Sequence, residues 1–443
     1  MFLIGKGTVI TRDSDRPIIR DGAVLVDQGV IKKLDTYDAL KQEYPQIPFV
    51  DAHNGIIMPG FINTHEHIYS AMARGLSIRG YQPNGFLDIL DGMWWNIDRH
   101  LTLSQVKLSA LSTYLECIRY GVTTIFDHHA SYGALRDSLF KIEEAARETG
   151  IRSCLCYEIS NRDGEDKMKD AVLENEAFIR YATKDTSDMI AGMMGLHASF
   201  TLSDATLDFC TTHKPEEAGY HIHVAEGIED LHDCLKKHGT RIVNRLMNHS
   251  ILGEKTLLAH CIYVNEQEMD LIKETDTMVV HNPESNMGNA CGCPPTMRMV
   301  EKGILTGLGT DGYTQDMIES YKVANLLHKH SLCNPNAAWS EIPKMLFEGN
   351  ATIANRYFKI PLGQLKEGAA ADIIVSDYIP NTPLDENNIN SHILFGMNGN
   401  NIITTIANGT VLMKDREFMT LDEEQILANV REGAGQLFNR LNP

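Results

Sequence analysis

Between about Pro59 and about Pro361 the chain alternates short apolar runs with amphipathic stretches, and this alternation restricts its fold more than any other feature. Gly121–Phe126, Met194–Leu196, Tyr220–Val224, Thr256–His260, Thr277–Val280 and Ile304–Leu308 read as buried strands. Leu135–Thr149 and Ile228–Asn248 read as helices among them. Strand and helix in alternation build parallel βαβ units with right-handed crossovers. About eight such units within about 300 residues predict an α/β fold, a (β/α)8 TIM-like barrel rather than an open sheet.

The two ends have a different texture. Near the start, Gly22–Val26 and Val30–Leu34 flank Asp27-Gln28-Gly29, a glycine-containing connection suited to a hairpin. Near the finish, Ala371–Val375 and Ile402–Ile406 are β-branched runs, and Asn408-Gly409 makes a turn before Thr410–Met413. Both ends are therefore expected to contribute to one small β-sandwich domain. The expected division is 1–58 for its first part, 59–360 for the barrel, and 361–443 for its second part with a terminal helix. That helix spans Leu421 to Leu441 and is amphipathic.

Composition limits the function classes. The 443 residues carry 40 Lys and Arg against 59 Asp and Glu, a formal net charge of −19. Sequence-independent nucleic-acid binding needs clustered cations, and an anionic membrane repels such a chain, so neither partner is expected. No stretch approaches the roughly 18 apolar residues of a spanning helix, and no secretory leader is visible. Nine cysteines, an odd number widely spread, do not form a disulfide framework and fit a reducing cytoplasm. Cys291-x-Cys293 and Cys154-x-Cys156 read as small buried residues more readily than as thiolate metal sites.

The chemistry gathers at strand ends. Asn63-Thr64-His65-Glu66-His67 follows the apolar Ile56–Ile62, and residues two apart on a strand share a face. His65 and His67 can thus hold one metal ion while Glu66 faces away. Three later strands end similarly: His221-Ile222-His223-Val224-Ala225-Glu226, Leu257-Leu258-Ala259-His260, and Gly309-Thr310-Asp311-Gly312, whose glycines let a substrate approach the backbone. In a barrel these ends converge on one face.

These motifs resemble the amidohydrolase superfamily over nearly the whole chain. The likeness is strongest to the nucleobase and triazine aminohydrolase branch, with cytosine, guanine and S-adenosylhomocysteine deaminases. Pro59–His67, His223–Glu226, His281-Asn282-Pro283-Glu284-Ser285-Asn286, Gly309–Gly312 and Gly363–Asp372 carry it. Trp94–Arg99 and Asp127–Ser131 are similar to a narrower group, the SsnA-type aminohydrolases. The resemblance implies one divalent metal, Zn2+ or Fe2+, held by His65, His67, His223 and Asp311. Such a metal lowers the pKa of a water from about 15.7 toward about 7, giving the hydroxide that attacks the C–NH2 carbon of a ring. Asp311 would accept the water's proton, His260 would orient the water or join the ligands, and Glu226 would be the general acid.

The resemblance also implies substrate contacts from His197 and Asp98. Trp94 and Trp95 suit stacking on a planar ring, with one of the two expected to pack in the core. His128 either lines the pocket or is a satisfied core histidine, and His281 either reaches the ligand or orders its loop. The expected partner is a small heterocycle, and relatives are commonly homo-oligomers. Cyclic-amide ring opening is the alternative reaction. It usually employs a carboxylated Lys ending the fourth strand, and Met194–His197 supplies none.

Overall fold

The apolar runs of the middle segment become strands buried on both faces, the pattern of parallel sheets covered by helices. The computed structural model describes residues 1–442. The N-terminal segment supplies β1 (Phe2–Ile10), β2 (Ile18–Asp27), β3 (Val30–Thr36), β4 (Phe49–Asp51) and β5 (Ile56–Pro59). The middle supplies β6 (Phe61–Glu66), β7 (Val122–His129), β8 (Arg152–Tyr157), β9 (Ile190–Gly192), β10 (Met194–Ala198), β11 (Tyr220–Val224), β12 (Leu257–His260), β13 (Met278–His281) and β14 (Thr306–Leu308). The C-terminal segment adds β15 (Ile373–Ser376), β16 (Ile402–Ala407), β17 (Thr410–Lys414) and β18 (Glu417–Phe418).

Both chain ends share one nine-stranded sheet, joined where β5 pairs antiparallel with β15. Its hairpin between β2 and β3 is tighter than the sequence indicates. Asp27 pairs with Val30, so the loop is Gln28-Gly29 alone, both with positive φ. The middle strands form two parallel sheets, β6-β7-β8-β9 and β10-β11-β12-β13-β14. Isolated parallel bridges link their edges, Glu66 with Asp311 on one side and Ile159 with Leu196 on the other.

Along these strands the side chains divide with a period of two. Leu155, Ile222, Leu258 and Val279 join the large core beneath the helices, whereas Cys154, Cys156, Leu257, Ala259, Met278 and Val280 form a separate inner cluster. Each seam between the sheets is stitched by one buried asparagine. Asn350 donates from Nδ2 to Ile62 O (2.6 Å) and Leu308 O (2.8 Å), and its Oδ1 accepts from Leu308 N (2.7 Å). Asn175 similarly accepts from Tyr157 N (2.8 Å) and Gly195 N (3.3 Å) while donating to Tyr157 O (2.8 Å).

Two expectations change in detail. The single helix expected over 228–248 is two, Ile228–His238 and Ile242–Asn248, because Gly239 adopts a left-handed cap with φ 65°. Strand β8 escapes the sequence reading because Arg152 opens it. That guanidinium is fully buried and is matched by Asp372 (Nε to Oδ2 3.4 Å) and Asp188 (Nη1 to Oδ2 3.7 Å). The terminal helix runs Glu423–Leu441. Among the described residues no helix is long and apolar enough to cross a membrane.

Replacing Asn350 by Ala leaves Ile62 O and Leu308 N without their partner in a dry interior, while Leu308 O keeps Thr64 Oγ1 at 3.3 Å. The expected loss is about 2 kcal/mol or more, at 1–3 kcal/mol for each stranded group. A urea unfolding midpoint equal to that of the parent protein would remove Asn350 from the seam.

Candidate active site

The strand-terminal residues converge. His65 lies near the end of β6 and His67 just beyond it, His223 lies in β11, His260 ends β12, and Asp311 follows β14. One ligand atom each from His65, His67 and His223 lies within 4.8 Å of the others, and the same holds for His65, His260 and Asp311. His67 Nε2 is 3.4 Å from Asp311 Oδ1, and His260 Nε2 is 3.4 Å from Asp311 Oδ2. Glu226 Oε2 lies 3.5 Å from His260 Nε2.

The far side of each ring explains which nitrogen faces the centre. His67 donates from Nδ1 to the carbonyl of His128 (2.6 Å), and His223 from Nδ1 to that of His197 (2.9 Å). A carbonyl only accepts, so both neutral rings carry their proton on Nδ1 and leave a lone pair on Nε2. Those two Nε2 atoms sit 3.1 Å apart, a distance at which neither has a proton to give the other. His65 Nδ1 meets His221 Nε2 at 2.8 Å, and His260 Nδ1 donates to Asn286 Oδ1 at 2.8 Å. The remaining Nε2 atoms of His65 and His260 are buried without a hydrogen-bond partner. Converging, unpartnered imidazole lone pairs with a carboxylate among them are the donor set of a divalent transition metal. The backbone and amide acceptors behind them are the supports that ligating histidines require.

Burial sets the charges. It pushes the pKa values of His65, His223 and His260 down, so these rings are neutral at pH 7 and free to ligate. Burial, and then the neighbouring Asp311 carboxylate, push Glu226 well above the usual carboxylate range. A carboxyl that keeps its proton near neutrality is suited to general-acid work.

A cleft of about 480 Å3, partly open to solvent, leads to this centre. His67, His223, Glu226 and Asp311 form its floor, with Tyr69, Phe86, Trp94, Trp95 and His197 among its walls. Both tryptophans line it, so neither is solely a packing residue. Trp95 stands edge-on to His197 at 5.8 Å between ring centroids, and Trp94 edge-on to Tyr69 at 6.0 Å.

Three expected substrate contacts lie elsewhere. Asp98 is fully buried and ion-paired with Arg162, with its pKa raised to about 8 by burial. Arg162 also reaches Glu158 Oε1 (3.3 Å), and of its two carboxylate partners Glu158, not Asp98, lines the cleft. His128 lies behind the wall, its Nε2 donating to Leu196 O (3.0 Å) and His221 O (3.2 Å), while its buried Nδ1 has no hydrogen-bond partner. His281 faces Asn286 and His328 and orders its loop. Glu66 turns from the centre as expected, accepting from Asn63, Thr310 and Gln315. Gly309 serves the fold more than the substrate, since a Cβ there would stand 2.9 Å from the His65 carbonyl.

Sequence reasoning passed over Glu158, His221 and Asn286 as site residues. Glu158 follows the strand hidden by Arg152. The signal for His221 was the His-x-His spacing itself, whose first ring orients His65 from behind.

Comparison with known proteins agrees with this geometry. Residues 56–412 match the amidohydrolase family. Over 447 residues the chain is 30% identical to the 5'-deoxyadenosine deaminase of Methanosarcina mazei, covering 100% of this chain and 99% of that one. It is 28% identical to the 5-methylthioadenosine/S-adenosylhomocysteine deaminase of Syntrophomonas wolfei, covering 99% and 100%. Among solved structures, an adenosine deaminase from Xanthomonas campestris with bound zinc superposes with a TM-score of 0.86 at 18% identity, covering 99% of this chain and 98% of that one. The atrazine chlorohydrolase of Arthrobacter aurescens TC1, complexed with zinc, gives 0.82 at 22%, covering 98% and 100%. With most of its length matched by the family and its strand-end motifs gathered at one centre, this chain belongs to the amidohydrolase family.

Proposed function

We propose that this protein is a metal-dependent hydrolytic deaminase of a purine-nucleoside-like substrate, releasing ammonia from a ring C–NH2 group. The observation that carries the reading is the pair of Nε2 atoms of His67 and His223, 3.1 Å apart, beside the buried Glu226 carboxyl, whose pKa burial and Asp311 raise. Relatives named as deaminases of 5'-deoxyadenosine and of methylthioadenosine or S-adenosylhomocysteine support the substrate class. The ring-opening alternative lacks support, because β10, fourth of the barrel strands when the short β9 is left out, carries no lysine.

His65, His67, His223 and Asp311 hold the metal, Zn2+ by preference, with His260 beside them. When bound, it supplies positive charge that makes water acidic and the attacked carbon electrophilic. The chain's own groups move the protons. Asp311 accepts the first proton of the attacking water. Glu226 delivers its proton to a ring nitrogen beside the attacked carbon, regains one from the added hydroxyl, and passes it to the departing amine, which leaves as ammonia. The proton left on Asp311 restores Glu226 through His260, whose Nε2 lies 3.4 Å from one carboxylate and 3.5 Å from the other. Trp94, Trp95 and Phe86 flank the flat ring, and His197 and Glu158 offer it polar contacts.

The same reading covers the architecture. We take β6, β7, β8, β10, β11, β12, β13 and β14 as one closed (β/α)8 barrel over 59–360, supported by the bridges at both seams. The sheet of residues 1–58 and 361–443 is read as curling into a small sandwich around Ile4, Val24, Ile57, Ile373 and Ile406. Nine free thiols fit a cytoplasmic setting.

Ammonia release from the zinc-loaded protein is expected with 5'-deoxyadenosine, methylthioadenosine or adenosine, and not with cyclic amides. Silence with every purine nucleoside and nucleobase, alongside hydrolysis of a cyclic amide, would sink the deaminase reading. Glu226→Gln is expected to retain the metal and lose about 10²–10⁴-fold in kcat. Parent-like turnover in that variant removes Glu226 as the acid. His223→Ala is expected to bind less than stoichiometric zinc by elemental analysis, and full occupancy refutes its place among the ligands.

A further inference from the structure

Behind His260 runs a line of hydrogen bonds that the reaction as written does not use. His260 Nδ1 faces Asn286 Oδ1 at 2.8 Å, and Asn286 Nδ2 faces His281 Nδ1 at 3.4 Å. His281 Nε2 faces His328 Nε2 at 3.2 Å, and His328 Nδ1 faces the Cys293 sulfur at 3.6 Å. Cys293 in turn donates its S–H to the carbonyl of Pro294, 3.7 Å away. All but Cys293 are buried; His281 and His328 expose 0% and 1% of their surface. Burial holds both rings neutral, with the pKa of His281 well below its ordinary value and that of His328 lowered to about 4.

A neutral imidazole has one N–H and one lone pair, so each ring must accept on one side and donate on the other. With the Cys293 proton given to the Pro294 carbonyl, which can only accept, the direction of the whole line is set. Cys293 donates to it, leaving sulfur to accept from His328 Nδ1–H. His328 Nε2 then accepts from His281 Nε2–H, and His281 Nδ1 accepts from the Asn286 amide. The Asn286 oxygen is left to accept from His260. Each link polarises the next, so the line behaves as a unit.

We propose that His328 is a positioning residue that, acting through His281 and Asn286, fixes the ring proton of His260 on Nδ1. The Nε2 lone pair then faces Glu226 and Asp311, where a proton can be carried between them. This rests on the role given to His260 above. Removing the acceptor at position 328 frees His281 to reverse, turning the Asn286 amide and moving the His260 proton to Nε2. Nothing about the shape of the cleft changes, because His328 and His281 do not line it.

The test is the ring-nitrogen NMR spectrum of the full-length protein without added metal, with His260 assigned from a His260→Gln variant. The wild type is expected to carry the His260 proton on Nδ1. His328→Leu is expected to show mixed tautomers, and its zinc-loaded form to lose about 10-fold or more in kcat at unchanged KM. His328→Gln, whose amide oxygen still accepts from His281, is expected to restore both. A wild-type His260 protonated on Nε2 overturns the proposal, and it does so even if His328→Leu fails to fold. A wild-type tautomer in a folded His328→Leu overturns it as well. Failure of the deaminase reading would appear separately, as absent ammonia release with the Nδ1 proton in place.

Discussion

Two amide side chains, Asn350 and Asn175, decide whether the rest of this structure can exist. The two parallel sheets have no continuous ladder between them, yet their edge strands must lie side by side for the catalytic centre to form. At the β6–β14 seam Asn350 meets two carbonyls and a peptide N–H, and the His65 carbonyl accepts from Thr310 N (3.1 Å) and Asp311 N (3.0 Å). An apolar residue at position 350 would gain about 1.5–3 kcal/mol by burial, but it would strand Ile62 O and Leu308 N at about 1–3 kcal/mol each and lose the amide's bond to Leu308 O. Polarity wins at that position. The same seam sets His65 and His67 beside Asp311, so the proposed metal ligands inherit their spacing from a fold-level hydrogen-bond requirement.

The centre itself is organised by what lies behind each ring rather than by what lies in front. His67 and His223 give their Nδ1 protons to backbone carbonyls that cannot rotate away, His260 to an amide, and His65 to a neighbouring imidazole. Burial then disfavours a charged imidazolium at His65, His223 and His260. Holding several lone pairs together in a dry site is costly without a cation between them, which suits the arrangement to binding one. The carboxylates complete the contrast: Glu226 is driven toward its neutral form by the burial that also keeps the rings neutral.

The strand-end chemistry was legible because it obeys short-range rules. His65 with His67 and His221 with His223 follow from a period of two, and Asp311 from a polar residue ending an apolar run. What was not legible depends on partners remote in sequence. Arg152 reads as solvent-exposed until Asp372, 220 residues later, is placed beside it. Hiding that strand also hid Glu158. Asp98 carries the residue type of a substrate contact, but Arg162 ties it down 64 residues away. The break at Gly239 is a local signal that a long amphipathic pattern outweighed.

His260 shows where periodicity itself stops applying. Leu257 and Ala259 point into the inner cluster and Leu258 away from it, so alternation alone would turn His260 outward. Its backbone instead enters the left-handed region with φ 70°, as do Ala225 at 50° and Asp311 at 55° at the ends of neighbouring strands. Such conformations cost a non-glycine residue about 1–3 kcal/mol each and persist only where the surroundings impose them. Here they are imposed: Cys261 N donates to both Val224 O and Ala259 O at 3.0 Å, and Asp311 N is held by the His65 carbonyl. A glycine at position 260 or 311 would relieve the strain and lose the imidazole or carboxylate that faces the centre. The strained turns at three strand ends are therefore the geometric means by which a fold that alternates its side chains can aim consecutive strands at one point.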